Sequence, residues 1–315
     1  MITEKTIVFI VPPRVHLLDL TGAAHIFYEA ADMGAPLRLV FASPDEGEMV
    51  QSTAGLVLGR LGHFSNYTLQ PGDYVFVPGL ESDLLLSESF YGERSAFFEW
   101  LREAYEGGAN VASVCTGAFL LAASGILDGK LCTTHWKFYR TIREMFPAID
   151  LKENRLFTDA GRLLTSAGVA SGIDLALYVL EKEYGTTLAG RVAREVVVYH
   201  RRGEGDPQLS VYLQYRNHLN GRVHRVQEHL SAHLAEKCTL SDLAEVVGTS
   251  SRNLTRLFRE TTGITIGLYH EKLRAEEALR LERLGHTRDF IAEACGLSST
   301  NQVRHLLNKY REAMA

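Results

Sequence analysis

The sequence lacks any apolar run long enough to cross a membrane. Its continuous apolar segments, such as Ile7–Val11, Tyr74–Val77 and Val111–Val114, have the length of strands, whereas a membrane-spanning helix needs about 20 apolar residues. The first six residues also lack the basic segment, apolar stretch and small-residue cleavage site of a secretion signal. We therefore expect a cytoplasmic protein with no membrane partner.

Cysteine is scarce as well. The four cysteines, Cys115, Cys132, Cys238 and Cys295, are scattered without the spacing of metal ligands, and a cytoplasmic setting disfavours stable disulfides. We predict neither a bound metal ion nor an organic cofactor.

An overall positive charge is missing too, since the formal net charge of −5 by itself argues against a nucleic-acid-binding protein. The average conceals an asymmetry. Residues 216–315 carry 15 Lys and Arg against 12 Asp and Glu, whereas residues 1–215 carry 18 against 26. The basic end of the chain is the place to look for a nucleic-acid interface.

A chain of 315 residues is long enough for two domains. Up to about residue 185, short continuous apolar runs alternate with segments of helical spacing, which is typical of buried parallel strands separated by helices. We predict an α/β sandwich built on a parallel sheet. The predicted strands are Thr6–Val11, Leu37–Phe41, Asp73–Val77 and Asn110–Val114, and Leu156–Thr158 with Leu163–Thr165 form a predicted hairpin. The predicted helices are Leu20–Met33, Glu93–Glu106, Thr116–Ser124, Trp136–Met145 and Gly172–Tyr184.

The composition changes around residues 199–207, where charge, glycine and proline replace apolar periodicity. We predict an α/β domain over 1–198, a linker over 199–215 and an all-α domain over 216–315. The predicted helices of the last domain are Val223–Leu234, Leu240–Val247, Arg252–Thr261, Ile266–Leu284, Asp289–Cys295 and Thr300–Tyr310.

Two stretches of the C-terminal domain share one pattern. Residues 239–248 form a short helix that stops at Gly248, and residues 249–251 cap a second helix; residues 289–296 and 297–299 repeat the scheme about fifty residues later. Helix, tight turn, helix is the pattern of a DNA-binding unit. One such unit is equally compatible with the solvated face of a helical bundle, but two at this spacing favour DNA binding, with one long helix between them.

The second helix of each unit has an apolar face and a polar face. Leu254, Leu257 and Phe258 are expected to face the core in the first unit, and Val303, Leu306 and Leu307 in the second. The polar faces carry guanidinium, amide and hydroxyl groups, which suit base edges and phosphates. The predicted DNA-binding residues are Ser251, Arg252, Asn253, Arg256 and Arg259, and Thr300, Asn301, Gln302, Arg304 and His305.

Residues from about 220 to 311 resemble the AraC/XylS family of transcription regulators, whose second unit typically reads Ile-Ala-x-x-x-Gly-Phe-Ser-Ser. Here the corresponding segment, residues 291–299, is Ile-Ala-Glu-Ala-Cys-Gly-Leu-Ser-Ser. The chain departs from the family in lacking a proline after Gly263 and in carrying Val303 and Leu306 where aromatic residues are usual. Because of these departures, DNA binding is a firmer expectation for the first helix-turn-helix unit than for the second.

A cysteine stands where a strand turns abruptly into a helix. In the segment Val-Cys-Thr-Gly-Ala at 114–118, Cys115 would lie beside a helix N-terminus, whose dipole and free N–H groups favour a thiolate. A small buried hydrophobic residue in a tight packing position is the alternative interpretation.

The surroundings of Cys115 resemble the PfpI-type branch of the class I glutamine amidotransferase-like superfamily over roughly residues 5–185. The likeness rests on Leu-Asp-Leu-Thr-Gly at 18–22, Val-Pro-Gly at 77–79, residues 124–130 and Thr-Thr-His-Trp at 133–136. It implies that Asp19 is an acid next to the Cys115 thiol, and that the backbone N–H groups of Gly79 and Thr116 are candidate anion donors.

The residue after the cysteine distinguishes branches of that superfamily. Peptidase-type members carry a histidine there, whereas this chain has Thr116. Cys-Thr with an early Asp is similar to the isocyanide hydratases and to regulators that join this domain to an AraC-type tail. His135 is expected to be structural.

We therefore predict a homodimeric, sequence-specific transcription regulator that binds double-stranded DNA, with RNA polymerase as a further candidate partner. Its effector would be a small nitrogen-containing metabolite bound at Cys115, and loss of turnover would not impair such a sensor. Two alternatives stay open for the N-terminal domain. One is a cysteine-dependent hydratase or hydrolase, and the other is a redox sensor, although no resolving cysteine is evident.

Overall fold

The computed structural model describes residues 4–198, 203–204, 208, 210–216 and 218–311. The chain divides into two compact units, Met1–Glu204 and Gly205–Ala315, and we treat each unit by itself. The boundary falls inside the predicted linker 199–215, of which residues 199–202, 205–207 and 209 lie outside the described part of the chain. Within the same range, residues 211–214 form a short helix, and Val211 is buried in the core of the second unit.

Within the described residues, all strands belong to the first unit. They are β1 Lys5–Ile10, β2 Leu37–Ser43, β3 Met49–Gln51, β4 Val57–Gly59, β5 Gly62–His63, β6 Tyr74–Val77, β7 Asn110–Val114, β8 Leu131–Cys132, β9 Asp150–Leu151, β10 Phe157–Asp159 and β11 Leu163–Ser166.

The helices of the first unit cover both faces of its main sheet or connect its strands. They are α1 Leu17–Asp32, α2 Ser82–Leu85, α3 Glu88–Gly92, α4 Ser95–Glu106, α5 Gly117–Ala123, α6 Tyr139–Met145, α7 Ser171–Tyr184 and α8 Thr186–Glu195, with 3₁₀ turns at Phe64–Asn66 and Trp136–Phe138.

The helices of the second unit are α9 Val211–Gln214, α10 Gly221–Ala232, α11 Leu240–Val246, α12 Ser251–Thr262, α13 Ile266–Arg283, α14 Arg288–Ala294 and α15 Thr300–Arg311.

A seven-stranded sheet organises the first unit, in the order β10-β11-β7-β6-β1-β2-β5. All its neighbouring strands are parallel except β10 and β11, which form the predicted antiparallel hairpin. The central strands β6 and β7 are buried along their whole length, as expected of strands covered on both faces.

Two hydrophobic cores lie on opposite faces of this sheet. One contains side chains of α1, α7 and α8, and the other contains side chains of α4, α5 and α6. The predicted parallel-sheet α/β sandwich is therefore confirmed.

The structure also contains elements that the apolar pattern does not reveal. The β3–β4 hairpin exposes Met49 and Val57, so its strands lack an alternating apolar face. Helix α8 buries only three small or medium apolar residues. It begins at Thr186, and only Gly185 separates it from the predicted helix, which ends at Tyr184. The predicted helix Trp136–Met145 is split into a 3₁₀ turn and α6.

The described part of the second unit is all helical, as predicted, and it holds two separate apolar cores. The first core contains residues of α10, α11 and α12, and the second contains residues of α14 and α15. Helix α13 contributes to both, because Ile266, Tyr269 and Leu273 lie in the first core whereas Ala275, Ala278, Leu279 and Leu281 lie in the second. One long helix thus joins the two helix-turn-helix units.

Side-chain caps mark where these helices begin. Thr239 and Asp242 form a capping box on α11, Ser250 accepts from the Asn253 N–H on α12, and Thr287 accepts from the Phe290 N–H on α14. Such caps satisfy N–H groups that have no partner within the helix. Across the described ranges, every helix is too short or too polar to span a bilayer.

The turns of the two helix-turn-helix units differ in how tightly they are packed. Gly248 and Gly296 both have positive φ, but a Cβ on Gly248 meets nothing within 4 Å, whereas a Cβ on Gly296 would lie 2.3 Å from the Ala235 carbonyl oxygen. Alanine in the left-handed conformation costs about 1–2 kcal/mol. We expect Gly248→Ala to lower the free energy of unfolding by about that amount and Gly296→Ala to lower it substantially more.

Urea denaturation followed by circular dichroism measures this difference. Both tryptophans, Trp100 and Trp136, lie in the first unit, so tryptophan fluorescence supplies an internal control and should not change. Equal losses for the two substitutions would contradict the contact between Gly296 and Ala235.

Candidate functional site

The predicted site of the first unit lies where three parallel strands end. The register pairs Phe9 with Phe76 and Val77 with Ser113, so the carboxyl ends of β1, β6 and β7 meet at one edge of the sheet. The segments after these strands contain the N-terminus of α1, the Pro78–Gly79 turn and the Cys115 elbow. The crevice beyond the carboxyl ends of parallel strands is where ligands bind in open α/β sheets.

Cys115 occupies a constrained elbow. Its φ is 59°, an uncommon conformation for a residue with a side chain. Two hydrogen bonds hold the elbow: the Cys115 N–H donates to the Ser166 carbonyl at 3.0 Å, and the Thr134 hydroxyl donates to the Cys115 carbonyl at 2.9 Å. The side chain is buried, with 4% exposure.

Asp19 lies in the first turn of α1 and is 1% exposed. No described residue makes a hydrogen bond of normal geometry to either carboxylate oxygen, although the Cys115 thiol and the N–H groups of Gly79 and Val169 lie close enough to act on its pKa. Gly79 is required here by close approach, because a Cβ on it would lie 2.3 Å from Asp19 Oδ2 and 3.1 Å from Cys115 Cβ. The structure therefore brings Asp19, Gly79, Cys115 and Thr116 together.

The expected thiolate at Cys115 is not what this environment favours. Burial, and then the charge of Asp19, raise the pKa of Cys115 well above its ordinary value, and the Thr116 N–H opposes this only in part. Burial likewise raises the pKa of Asp19 to about 6, against smaller opposing effects of His16, Cys115 and nearby N–H groups. Desolvation penalises both charged forms, so this environment disfavours a Cys115 thiolate beside an ionised Asp19.

The candidate anion donors are directed at these two side chains. The Gly79 N–H acts on the Asp19 carboxylate and the Thr116 N–H on the Cys115 thiol. The Thr116 hydroxyl both accepts from the Leu80 N–H and donates to the Leu80 carbonyl, each at 3.1 Å. Thr116 thus ties the turn after β6 to the elbow.

Sequence reasoning missed two neighbours of this site. His16, immediately before α1, has a buried Nε2 atom without a hydrogen-bond partner among the described residues, and Val169 offers its N–H to both Asp19 and Cys115. His16 could have been found because it precedes Asp19 by one helical turn, whereas nothing in the sequence marks Val169. Burial lowers the pKa of His135, and its Nδ1 accepts from the Lys137 N–H at 3.3 Å, a contact that fits the structural role expected of it.

The polar face of α12 is the predicted interface of the first helix-turn-helix unit. Leu254 and Phe258 are buried and Leu257 is partly buried, which confirms the predicted apolar face. The opposite face exposes Arg252, Asn253, Arg256 and Arg259, and Ser251 is half-buried.

The arginines of this face share one shallow depression. Arg252, Arg256 and Arg259 line it together with Thr255 and Glu260, and the Asn253 amide oxygen accepts from Arg256 at 3.2 Å. Sequence reasoning missed Thr255, although its position between Arg252 and Arg256 places it on the same face.

Helix α15 has the same arrangement with fewer charges. Val303, Leu306 and Leu307 are buried as predicted, whereas Asn301, Gln302, Arg304 and His305 are exposed and Thr300 is half-buried. The Gln302 amide oxygen accepts from the Ser298 N–H at 3.0 Å, so this side chain caps its own helix.

Comparisons with known proteins agree with both halves of this description. The profile of the DJ-1/PfpI family matches residues 5–182, and the profile of bacterial regulatory helix-turn-helix proteins of the AraC family matches residues 230–269. A crystal structure of a THiJ/PfpI family protein from Pseudomonas syringae has a similar fold, with a TM-score of 0.54, 20% identity and coverage of 78% of this chain and 91% of that one.

Two curated relatives represent the two functional directions. The HTH-type transcriptional regulator GbdR of Pseudomonas aeruginosa is 30% identical over 65% of this chain and 55% of its own length. The isonitrile hydratase of Pseudomonas putida is 32% identical over 58% of this chain and 73% of its own length. The alignment thus spans little more than half of the regulator.

The raised pKa of Asp19 makes stability depend on pH. Between about pH 4 and 6, the native state binds a proton that the unfolded chain has released, so the free energy of unfolding falls as pH rises through that window. We expect Asp19→Asn to raise the free energy of unfolding at pH 7.5 by about 1–3 kcal/mol and by roughly half as much at pH 5, the middle of that window.

Urea denaturation followed by tryptophan fluorescence at the two pH values measures the effect. Asp32→Asn, at the exposed end of the same helix, is the matched control. A gain of equal size at both pH values would mean that desolvation of the Asp19 carboxylate is not its cause.

Proposed function

This chain belongs to the DJ-1/PfpI family, and we propose that it is a sequence-specific DNA-binding transcription regulator whose tail reads DNA and whose α/β unit responds to a small molecule. The observation that carries the proposal is the exposed arginine face of α12, which follows a capped helix and a tight turn. The match of residues 230–269 to the AraC-family profile and the similarity to a transcriptional regulator support it.

The arginine face suits duplex DNA for two reasons. Arg252, Arg256 and Arg259 recur at helical spacing on one exposed face, so a helix in the major groove could present them to base edges and flanking phosphates together. These three side chains are also exposed, whereas the apolar face of α12 is buried in the core. The basic balance of residues 216–315 favours the same partner.

The effector in this proposal is a small nitrogen-containing metabolite bound at Cys115 and Asp19. A buried carboxylate whose oxygens make no hydrogen bond of normal geometry with the described residues favours a ligand that carries N–H donors. His16 Nε2, buried and without a partner among the described residues, adds a second polar group at the same place.

We further propose a cytoplasmic homodimer joined mainly through the α/β units, so that paired tails meet repeated half-sites. Effector binding would shift the placement of the tails rather than add contacts to DNA. RNA polymerase is the second macromolecular partner that this role implies.

A second candidate function is a cysteine-dependent hydration of isocyanides. The Cys115–Asp19 pair and the 32% identity to an isonitrile hydratase favour it. The thiol environment opposes it, because the attacking species is a thiolate and the pKa of Cys115 is raised. The low exposure of Cys115 and its raised pKa also argue against a redox sensor, which needs an accessible, acidic thiol.

Arg256→Ala tests the regulator. Sites selected from random duplexes by the full-length protein should bind Arg256→Ala about 10- to 100-fold more weakly, because a bidentate arginine contributes about 1–3 kcal/mol of base discrimination. The preference at one base position should relax as well. The measurement is a binding isotherm at several salt concentrations, and Arg140→Ala, which removes an exposed arginine of α6, is the charge-matched control.

Selective binding that is unaffected by Arg256→Ala would contradict the assignment of α12 as the recognition helix. If the full-length chain selects no duplex at all, the regulator is contradicted and the cysteine enzyme becomes the leading function.

Incubation with an alkyl isocyanide separates the two functions of the α/β unit. Hydration would add one water to the isocyanide and give the N-alkyl formamide, which is quantified by NMR. We expect the wild type to form no more formamide than Cys115→Ala, because burial and the charge of Asp19 raise the pKa of the Cys115 thiol and so disfavour the attacking thiolate. Cys132→Ala, which removes another buried thiol of the same unit, is the matched control, and turnover that only Cys115→Ala abolishes would establish the enzyme.

A further inference from the structure

The middle of α13 is the boundary between the two cores of the second unit. Leu273 is buried in the first core and Ala275 in the second. Arg274 stands between them and is half-buried. It belongs to neither apolar cluster, so a charged side chain occupies the one position where the two helix-turn-helix units meet along the helix.

A second contact between the two helix-turn-helix units of the tail lies away from the axis of α13. The turn at 233–238 connects α10 with α11 in the first helix-turn-helix half of the tail. Gly296 lies in the turn between α14 and α15, in the second helix-turn-helix half. A Cβ on Gly296 would come within 2.3 Å of the Ala235 oxygen, 2.7 Å of its carbonyl carbon and 2.9 Å of its Cα. The two turns are thus packed backbone against backbone.

Arg274 links α13 to that packed turn. Its Nε donates to the Leu234 carbonyl at 3.1 Å and its Nη2 donates to the Glu236 carbonyl at 3.2 Å. The two carbonyls stand on either side of Ala235, the residue against which Gly296 packs. Cys238, from the first helix-turn-helix half, and Cys295, from the second, also lie close enough to act on the pKa of Arg274. Both halves of the tail therefore lie near this guanidinium.

We propose that Arg274 is a positioning residue for DNA recognition: it clamps the 233–238 turn against the α14–α15 turn and so fixes α12 and α15 at one separation and one angle. The proposal rests on the proposed DNA-binding function for its consequence, but the clamp itself is a property of the free protein. Arg274 acts through the two recognition helices and requires no contact with DNA.

The reason lies in the geometry of the duplex. Two recognition helices enter successive major-groove segments only if their spacing matches a helical repeat of roughly 34 Å. With α13 as the sole connection, bending of this helix would change the spacing between the two recognition helices, because long helices curve. A guanidinium fork with two fixed acceptors restricts that motion. A lysine ammonium carries its three donors on one nitrogen, so it cannot reproduce the planar geometry in which two nitrogens bond the two carbonyls.

The first experiment measures the clamp without DNA. Spin labels on ketone-bearing amino acids replace the exposed Thr255 of α12 and Asn308 of α15 in the full-length protein, and pulsed electron resonance gives the distribution of distances between them. Arg274→Met and Arg274→Lys should both broaden and shift this distribution. Arg280→Met is the matched control, because Arg280 lies on the same helix and its fork bonds Glu277 within that helix at 2.7 and 2.8 Å.

The second experiment measures the consequence for DNA. A base pair inserted between the two halves of a selected site should weaken binding of the wild type and of Arg280→Met by about tenfold or more, but binding of Arg274→Met and Arg274→Lys by no more than about threefold. Overall loss of folding would weaken binding to both sites alike and would not change this ratio. Circular dichroism identifies which variant is folded, and the conservative Arg274→Lys serves if Arg274→Met is not.

Each outcome decides the proposal. A broadened distance distribution together with a reduced penalty for the insertion supports it. An unchanged distribution in both Arg274 variants overturns it, as does an insertion penalty equal to that of Arg280→Met. If the full-length chain binds no duplex selectively, the proposed function fails, whereas the distance measurement still decides whether Arg274 holds the two helices in place.

Discussion

The parallel register of β1, β6 and β7 is the constraint on which the first unit depends. It brings three strand ends to one edge, so that the start of α1, the Pro78–Gly79 turn and the Cys115 elbow converge there. The backbone N–H groups at these strand ends need hydrogen-bond partners. Some of them point at Asp19 and Cys115, and the Leu80 N–H and carbonyl both bond the Thr116 hydroxyl. As a result a carboxylate and a thiol are held out of water, which raises the pKa of both.

The sequence allowed the fold and the membership of the site to be predicted because the relevant signals are local. Continuous apolar runs mark the buried strands, and the residues Thr239, Ser250 and Thr287 mark helix starts through their own hydroxyl groups. Gly79 and Asp19 were found through resemblance, and the structure adds the physical reason, which is that a side chain on Gly79 would collide with the carboxylate. In contrast, α8 and the β3–β4 hairpin bury too few apolar residues to produce a periodic pattern.

The state of Cys115 could not be predicted in this way. A helix N-terminus favours thiolate, but the sign of the pKa shift depends on how burial and the charge of Asp19 weigh against it, and neither burial nor separation is encoded in neighbouring residues. The contacts of His16 and Val169 are hidden for the same reason. Arg274 is a comparable case: its position on α13 looks like any surface arginine in the sequence, and only the packed turns around it reveal two carbonyl acceptors.

The division of α13 between two cores also governs which changes in length the tail can accept during evolution. Inserting or deleting one residue between Leu273 and Ala275 would rotate everything beyond it by about 100° and displace it by about 1.5 Å along the axis, which would turn the second core away from its own helices and pull Gly296 off Ala235. Descendants of this chain should therefore preserve the number of residues in α13 even where its exposed residues change freely.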